Sequence, residues 1–92
     1  MNTYMLKSPA EVNLSIAGNL RTLRKGRKMT IKELAERSGV PYSTIKRFEH
    51  TGEISLSSLV KLAFILDCTD GFENLFVKTE ISSIQEIIDG KV

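Results

Sequence analysis

The sequence predicts an all-α fold: a compact bundle of five short helices, with an N-terminal arm and a C-terminal tail helix. Three observations carry this. Apolar residues recur at intervals of three and four, and no alternation of period two lasts more than a few residues. Helix-capping signatures recur at Ser8–Glu11, Thr30–Glu33, Ser55, Asp70 and Ser83–Glu86. Gly26, Gly39 and Gly52 fall where the apolar patterns stop.

Taken in order, Ser8 is an N-cap, Pro9 a first-turn proline and Glu11 the capping-box partner. Val12, Ile16, Leu20 and Leu23 then form one apolar face, and Gly26 is the expected cap at the end. Thr30 and Glu33 box the second helix, with Met29 and Leu34 as its hydrophobic staple. Gly39 ends it quickly. The third helix starts around Val40-Pro41 and ends by Gly52. Ser55 caps the fourth, whose expected face is Leu56, Leu59, Val60, Ala63 and Leu66. Asp70 caps a fifth carrying Phe72, Leu75 and Phe76. In the tail, Ile84, Ile87 and Ile88 can form a stripe.

Ninety-two residues make one domain, 1–92, with its core over 9–77 and a tail over 78–92. A single cysteine, Cys68, allows no internal disulfide and fits a reducing compartment. No apolar run approaches the length that spans a bilayer, and the first twelve residues lack the apolar stretch of a secretion signal. The expected location is the cytoplasm.

The charge is distributed unevenly. Residues 1–47 hold ten Lys/Arg against three Asp/Glu, a net of +7, while residues 48–92 hold three against eight, a net of −5. The run RTLRKGRK (21–28) places five positive charges in eight residues with no acid. Charge so concentrated points to a polyanion partner for the first half rather than a merely solvated surface.

The stretch SGVPYSTIKRFEHTGE (38–53) shows how that charge is displayed. A very short connection through Gly39 holds two helices at a steep angle. Leu34 and Ala35 face inward on the second helix. Val40, Ile45 and Phe48 bury the inner side of the third. Tyr42, Ser43, Lys46 and Arg47 are left outside, with Thr44 at the margin.

These residues resemble the helix-turn-helix of the Xre family, the type found in phage Cro proteins and lambda-like repressors. The resemblance covers roughly residues 16–77. It rests on Leu34-Ala35, Gly39-Val40, Ser43-Thr44-Ile45, Phe48-Glu49, the leucine-rich helix that follows, and Phe72-Glu73-Asn74-Leu75-Phe76. It implies a lambda-repressor-like domain whose third helix enters the major groove of double-stranded DNA. The positions matching base-contacting residues are Tyr42, Ser43 and Arg47. On physical grounds Lys28, Lys32 and Lys46, with Thr44, are expected to hold phosphates, and Thr30 caps the second helix, whose amide N–H groups and positive dipole end can hold another. Arg24 and Glu49 stand where the family often links the first helix to the end of the third by an ion pair. Two departures are visible: Ile31 replaces a common phosphate-contacting glutamine, and Pro41 replaces a hydroxyl cap.

The resemblance implies a transcriptional repressor acting as a homodimer on a palindromic operator. A second reading is a HipB-like antitoxin that holds a toxin partner and regulates its own operon. Phe64 and Ile65, with Ile84, Ile87 and Ile88, are candidate interface residues for a dimer or such a partner. No nucleophile–base set, carboxylate pair or ligand cluster is visible, so neither an enzyme, nor a metal, nor a cofactor is expected.

Overall fold

The computed structural model describes residues 8–78 and residue 90. Four helices form among the described residues, and no strand: α1 (Pro9–Gly26), α2 (Ile31–Ser38), α3 (Tyr42–Thr51) and α4 (Leu56–Ile65). The all-α expectation holds, but the expected count of five helices does not.

The N-terminus of α1 is fixed by a complete capping box. Ser8 Oγ accepts from the Glu11 amide at 3.1 Å, and Glu11 Oε1 accepts from the Ser8 amide at 2.8 Å. The buried row of this helix is Ala17, Leu20 and Arg24. The expected face is therefore corrected: Val12 and Ile16 remain 43% and 42% exposed, and Leu23 is half-buried. Apolar periodicity could not register that the core row ends in a charged residue.

The end of α1 is also corrected. The helix runs through Gly26, Arg27 caps it, and the left-handed position falls on Lys28 with φ +55°. A reciprocal clasp sets this register. Met29 N–H donates to the Arg24 carbonyl at 3.1 Å, and Arg24 Nη1 donates to the Met29 carbonyl at 2.8 Å.

A second capping box opens α2, with Glu33 N–H donating to Thr30 Oγ1 at 3.0 Å and Thr30 N–H to Glu33 Oε1 at 2.9 Å. Gly39 closes it in the left-handed region, φ +79°, its amide bonded to the Ala35 carbonyl. Pro41 then caps α3 without a side-chain bond, and Gly52 ends it at φ +83°. Ser55 Oγ accepts from the Ser58 amide and opens α4.

One apolar core joins the helices: Ala17 and Leu20 from α1, Met29, Leu34 from α2, Val40, Ile45 and Phe48 from α3, Leu62 from α4, and Leu66. Each large side chain removed from water here contributes about 1.5–3 kcal/mol. On α4 Ala63 is buried as expected, as is Leu66 just after it, but the face is rotated toward Leu62: Leu62 is fully buried, Leu59 and Val60 are half-buried and Leu56 is largely exposed. That rotation follows from α4 lying against α2, which presents Leu34.

The segment expected as a fifth helix is a run of turns over 70–76. Its backbone bonds link Phe72 to Thr69, Leu75 to Phe72 and Val77 to Asn74, all three apart. The Asn74 side chain donates to the Asp70 carbonyl, the group a helical Asn74 amide would use. Leu75 and Phe76 stay exposed, so no buried face stabilises a regular helix. The arm over 1–7 and the stripe of Ile84, Ile87 and Ile88 lie outside the described residues.

Candidate nucleic-acid interface

Helix α3 is pinned from one side. Ile45 and Phe48 are fully buried, while Tyr42, Ser43, Lys46 and Arg47 on the same helix are exposed. The connection from α2 is braced locally, since Ser38 Oγ accepts from the Val40 amide at 3.0 Å. The helix packs on both α1 and α2, so its outward face cannot roll without breaking two contacts.

A further anchor comes from Arg24 and Glu49. Nε donates to Oε2 at 2.7 Å and Nη2 to Oε1 at 2.9 Å, a two-bond pairing between α1 and the end of α3. Both side chains are more than nine-tenths buried. Donating these bonds to the Glu49 carboxylate raises the Arg24 pKa above the ordinary arginine value, opposing the effect of burial. Three guanidinium nitrogens are thereby occupied, two by Glu49 and one by Met29.

Around this anchor lies an open groove of about 610 Å³. Tyr42, Ser43, Lys46, Arg47, Arg24 and Glu49 all line it, together with Arg21, Ile31, His50 and Thr51. Lys28, Thr30, Lys32 and Thr44 do not line it. Lys28 and Lys32 are exposed on either side of Thr30, at the start of α2, and Thr44 is half-buried. The Thr30 hydroxyl is engaged with Glu33, accepting from its amide and donating to its carboxylate at 3.1 Å. Thr30 bonds, backbone first, hold the Glu33 carboxyl below its ordinary pKa.

Two residues on this face escaped sequence reasoning. Arg21 stands one turn before Arg24 and enters the groove; that i, i+3 spacing was a usable signal. Glu53 accepts a hydrogen bond from Arg47 Nη2, both side chains being well exposed. No periodicity marks such a pair, because Glu53 lies beyond the helix end. Of the candidate interface residues, Phe64 is 69% exposed, whereas Ile65 is half-buried against the core and has less surface to offer.

The arrangement is that of a brace helix, a tight turn and an outward helix carrying cations and hydroxyls. It defines a helix-turn-helix nucleic-acid-binding domain. The Cro/C1-type HTH DNA-binding domain family matches residues 19–76, and the chain belongs to it. No curated relative matches the chain. Among the described residues, no helix is long and apolar enough to cross a membrane, and no His/Cys/Asp/Glu group suits a metal ion.

Proposed function

We propose that this chain is a sequence-specific regulator of transcription, a cytoplasmic repressor that reads double-stranded DNA as a homodimer on a palindromic operator. The observation that carries this reading is the exposed face of α3, cationic and hydroxyl-bearing, set against a fully buried Ile45 and Phe48. Arg47 has the donor geometry to pair with guanine O6 and N7, and Ser43 suits several base edges. Tyr42 contacts a base or the sugar-phosphate rim. Lys28, Lys32, Lys46 and Thr44 hold phosphates, which fix register without reading sequence. At Thr30 the phosphate contact falls to the free first-turn amides of α2, since the hydroxyl already serves Glu33.

One helix reads only about four base pairs, too few for a unique site, so two copies on half-sites about one helical turn apart are needed. Selection of bound DNA from a random pool, on protein of measured mass, tests the reading. The expected product is a palindrome bound by two chains. No enrichment of any sequence would remove sequence-specific recognition; a single half-site bound by one chain would remove the dimer.

The antitoxin reading draws its support from apolar surface. Phe64 is 69% and Phe76 98% exposed, more than a DNA-binding role alone requires. Under it, deleting residues 79–92 leaves operator affinity and dimer mass unchanged yet abolishes co-purification with the product of a neighbouring gene.

A further inference from the structure

We propose that Glu53 is a positioning residue for Arg47: its carboxylate, carried on the turn after α3, aims the guanidinium at a single base edge. The proposal rests on the reading of Arg47 as a base-contacting residue. Arg47 Nη2 donates to Glu53 Oε1. A second connection joins the same two residues through Thr51, whose hydroxyl donates to the Arg47 carbonyl at 2.8 Å and accepts from the Glu53 amide at 3.2 Å. Gly52, between Thr51 and Glu53, is buried and left-handed. A Cβ there would lie 2.9 Å from the Asn13 carbonyl carbon. The turn carrying Glu53 is thus bonded to α3 and lies close against α1, so its carboxylate starts from a confined backbone.

The chemistry suits aiming. A guanidinium has five N–H donors in a rigid fork, and the bond to Glu53 uses one. Enough remain to present two parallel donors to guanine O6 and N7. A free arginine side chain carries much rotamer entropy, and a partner that holds one nitrogen lowers what is lost on binding. Glu53 also brings negative charge to a face meant for phosphates. On its own that charge weakens binding to every sequence; paired with Arg47 it favours one base pair. Discrimination and general affinity therefore respond to it in opposite directions.

The test uses the full-length chain and an operator obtained by random-pool selection. The affinities of wild type, Glu53→Gln, Glu53→Asp, Arg47→Ala and the Arg47→Ala/Glu53→Gln double variant are measured at one salt concentration. Each is measured on that operator and on versions altered at single base pairs. The expected result is that Glu53→Gln reduces preference at the Arg47-dependent base pair by about 2–5-fold, the range of an exposed ion pair. Glu53→Asp restores part of that preference, and Glu53→Gln has no such effect once Arg47 is alanine. The unfolding midpoint of Glu53→Gln stays at the wild-type value. Equal tightening on all sequences, with discrimination intact, would overturn the proposal and leave Glu53 as a repelling charge only. If Arg47→Ala itself keeps full discrimination, the base-reading role of Arg47 fails, and the positioning role falls with it.

Discussion

Arg24 and Glu49 are joined by two hydrogen bonds of 2.7 and 2.9 Å across the contact between α1 and α3, and both side chains are almost fully buried. The pair closes the core where an apolar residue would otherwise stand. It also ties α3 to the turn after α1, because Arg24 holds the Met29 carbonyl. Glu49→Ala leaves a buried guanidinium without its partner and is expected to cost about 3 kcal/mol. The double variant Arg24→Met/Glu49→Leu, which removes both charges, is expected to recover most of that loss. Urea unfolding of wild type and the two variants checks this. Equal destabilisation in single and double variants would mean that packing, not charge pairing, sets the cost.

Gly39 and Gly52 both adopt positive φ, but their surroundings differ. A Cβ on Gly39 meets nothing within 4 Å, whereas one on Gly52 meets Asn13 at 2.9 Å. Alanine at 39 is therefore expected to cost only the left-handed strain, about 1–2 kcal/mol. Alanine at 52 adds overpacking against α1, for about 3 kcal/mol or more in all. Denaturant midpoints rank them, and the expected order is wild type, then Gly39→Ala, then Gly52→Ala. A reversed order would sink the argument.

Lys28 occupies the left-handed region without being glycine, at φ +55°. Lys28→Gly is expected to raise stability by about 1 kcal/mol. The same substitution removes a proposed phosphate contact. Affinity should then fall alike for operator and random DNA, with a salt-dependence slope shallower by about one. A stabilised protein with weaker, equally selective binding is the expected combination. A loss of selectivity would place Lys28 among the base readers instead.

Glu33 stabilises α2 in its charged form, since the Thr30 bonds lower its pKa in the folded chain. Stability from a lowered carboxyl pKa is fully present above the unfolded value. It is lost as pH falls through the folded value. Wild type should therefore lose its advantage over Glu33→Gln as the pH drops through and below the ordinary carboxylate range. Unfolding midpoints for both proteins across that range read the difference; a gap that stays constant with pH contradicts it.

Arg47→Ala should cost about 1–3 kcal/mol of discrimination at one operator base pair and little elsewhere. Binding to operators altered at each position in turn measures it. An evenly distributed loss would make Arg47 a phosphate contact.

Local signals in the sequence settled much of this molecule. Ser8–Glu11, Thr30–Glu33 and Ser55 state their caps in short patterns of side-chain chemistry, and each helix opens where those patterns lie. Gly39 and Gly52 end α2 and α3 for an equally local reason, the missing Cβ at positive φ. The inward pair Ile45 and Phe48 follows from helical spacing. Where the pattern misled, what decided was the presence or absence of a packing partner. Asp70 and Phe72 carry a cap and an apolar pattern, yet with Leu75 and Phe76 exposed the segment settles into turns.

The sequence by itself thus determined the helix starts, the tight turn and which face of α3 is apolar, because each depends on residues within a few positions of one another. Only the tertiary structure decided that α1 buries Ala17 and Arg24 rather than Val12 and Ile16, that α4 turns on Leu62, and that Arg47 meets Glu53. Those outcomes depend on what lies opposite each side chain, and helical periodicity carries no information about a facing partner.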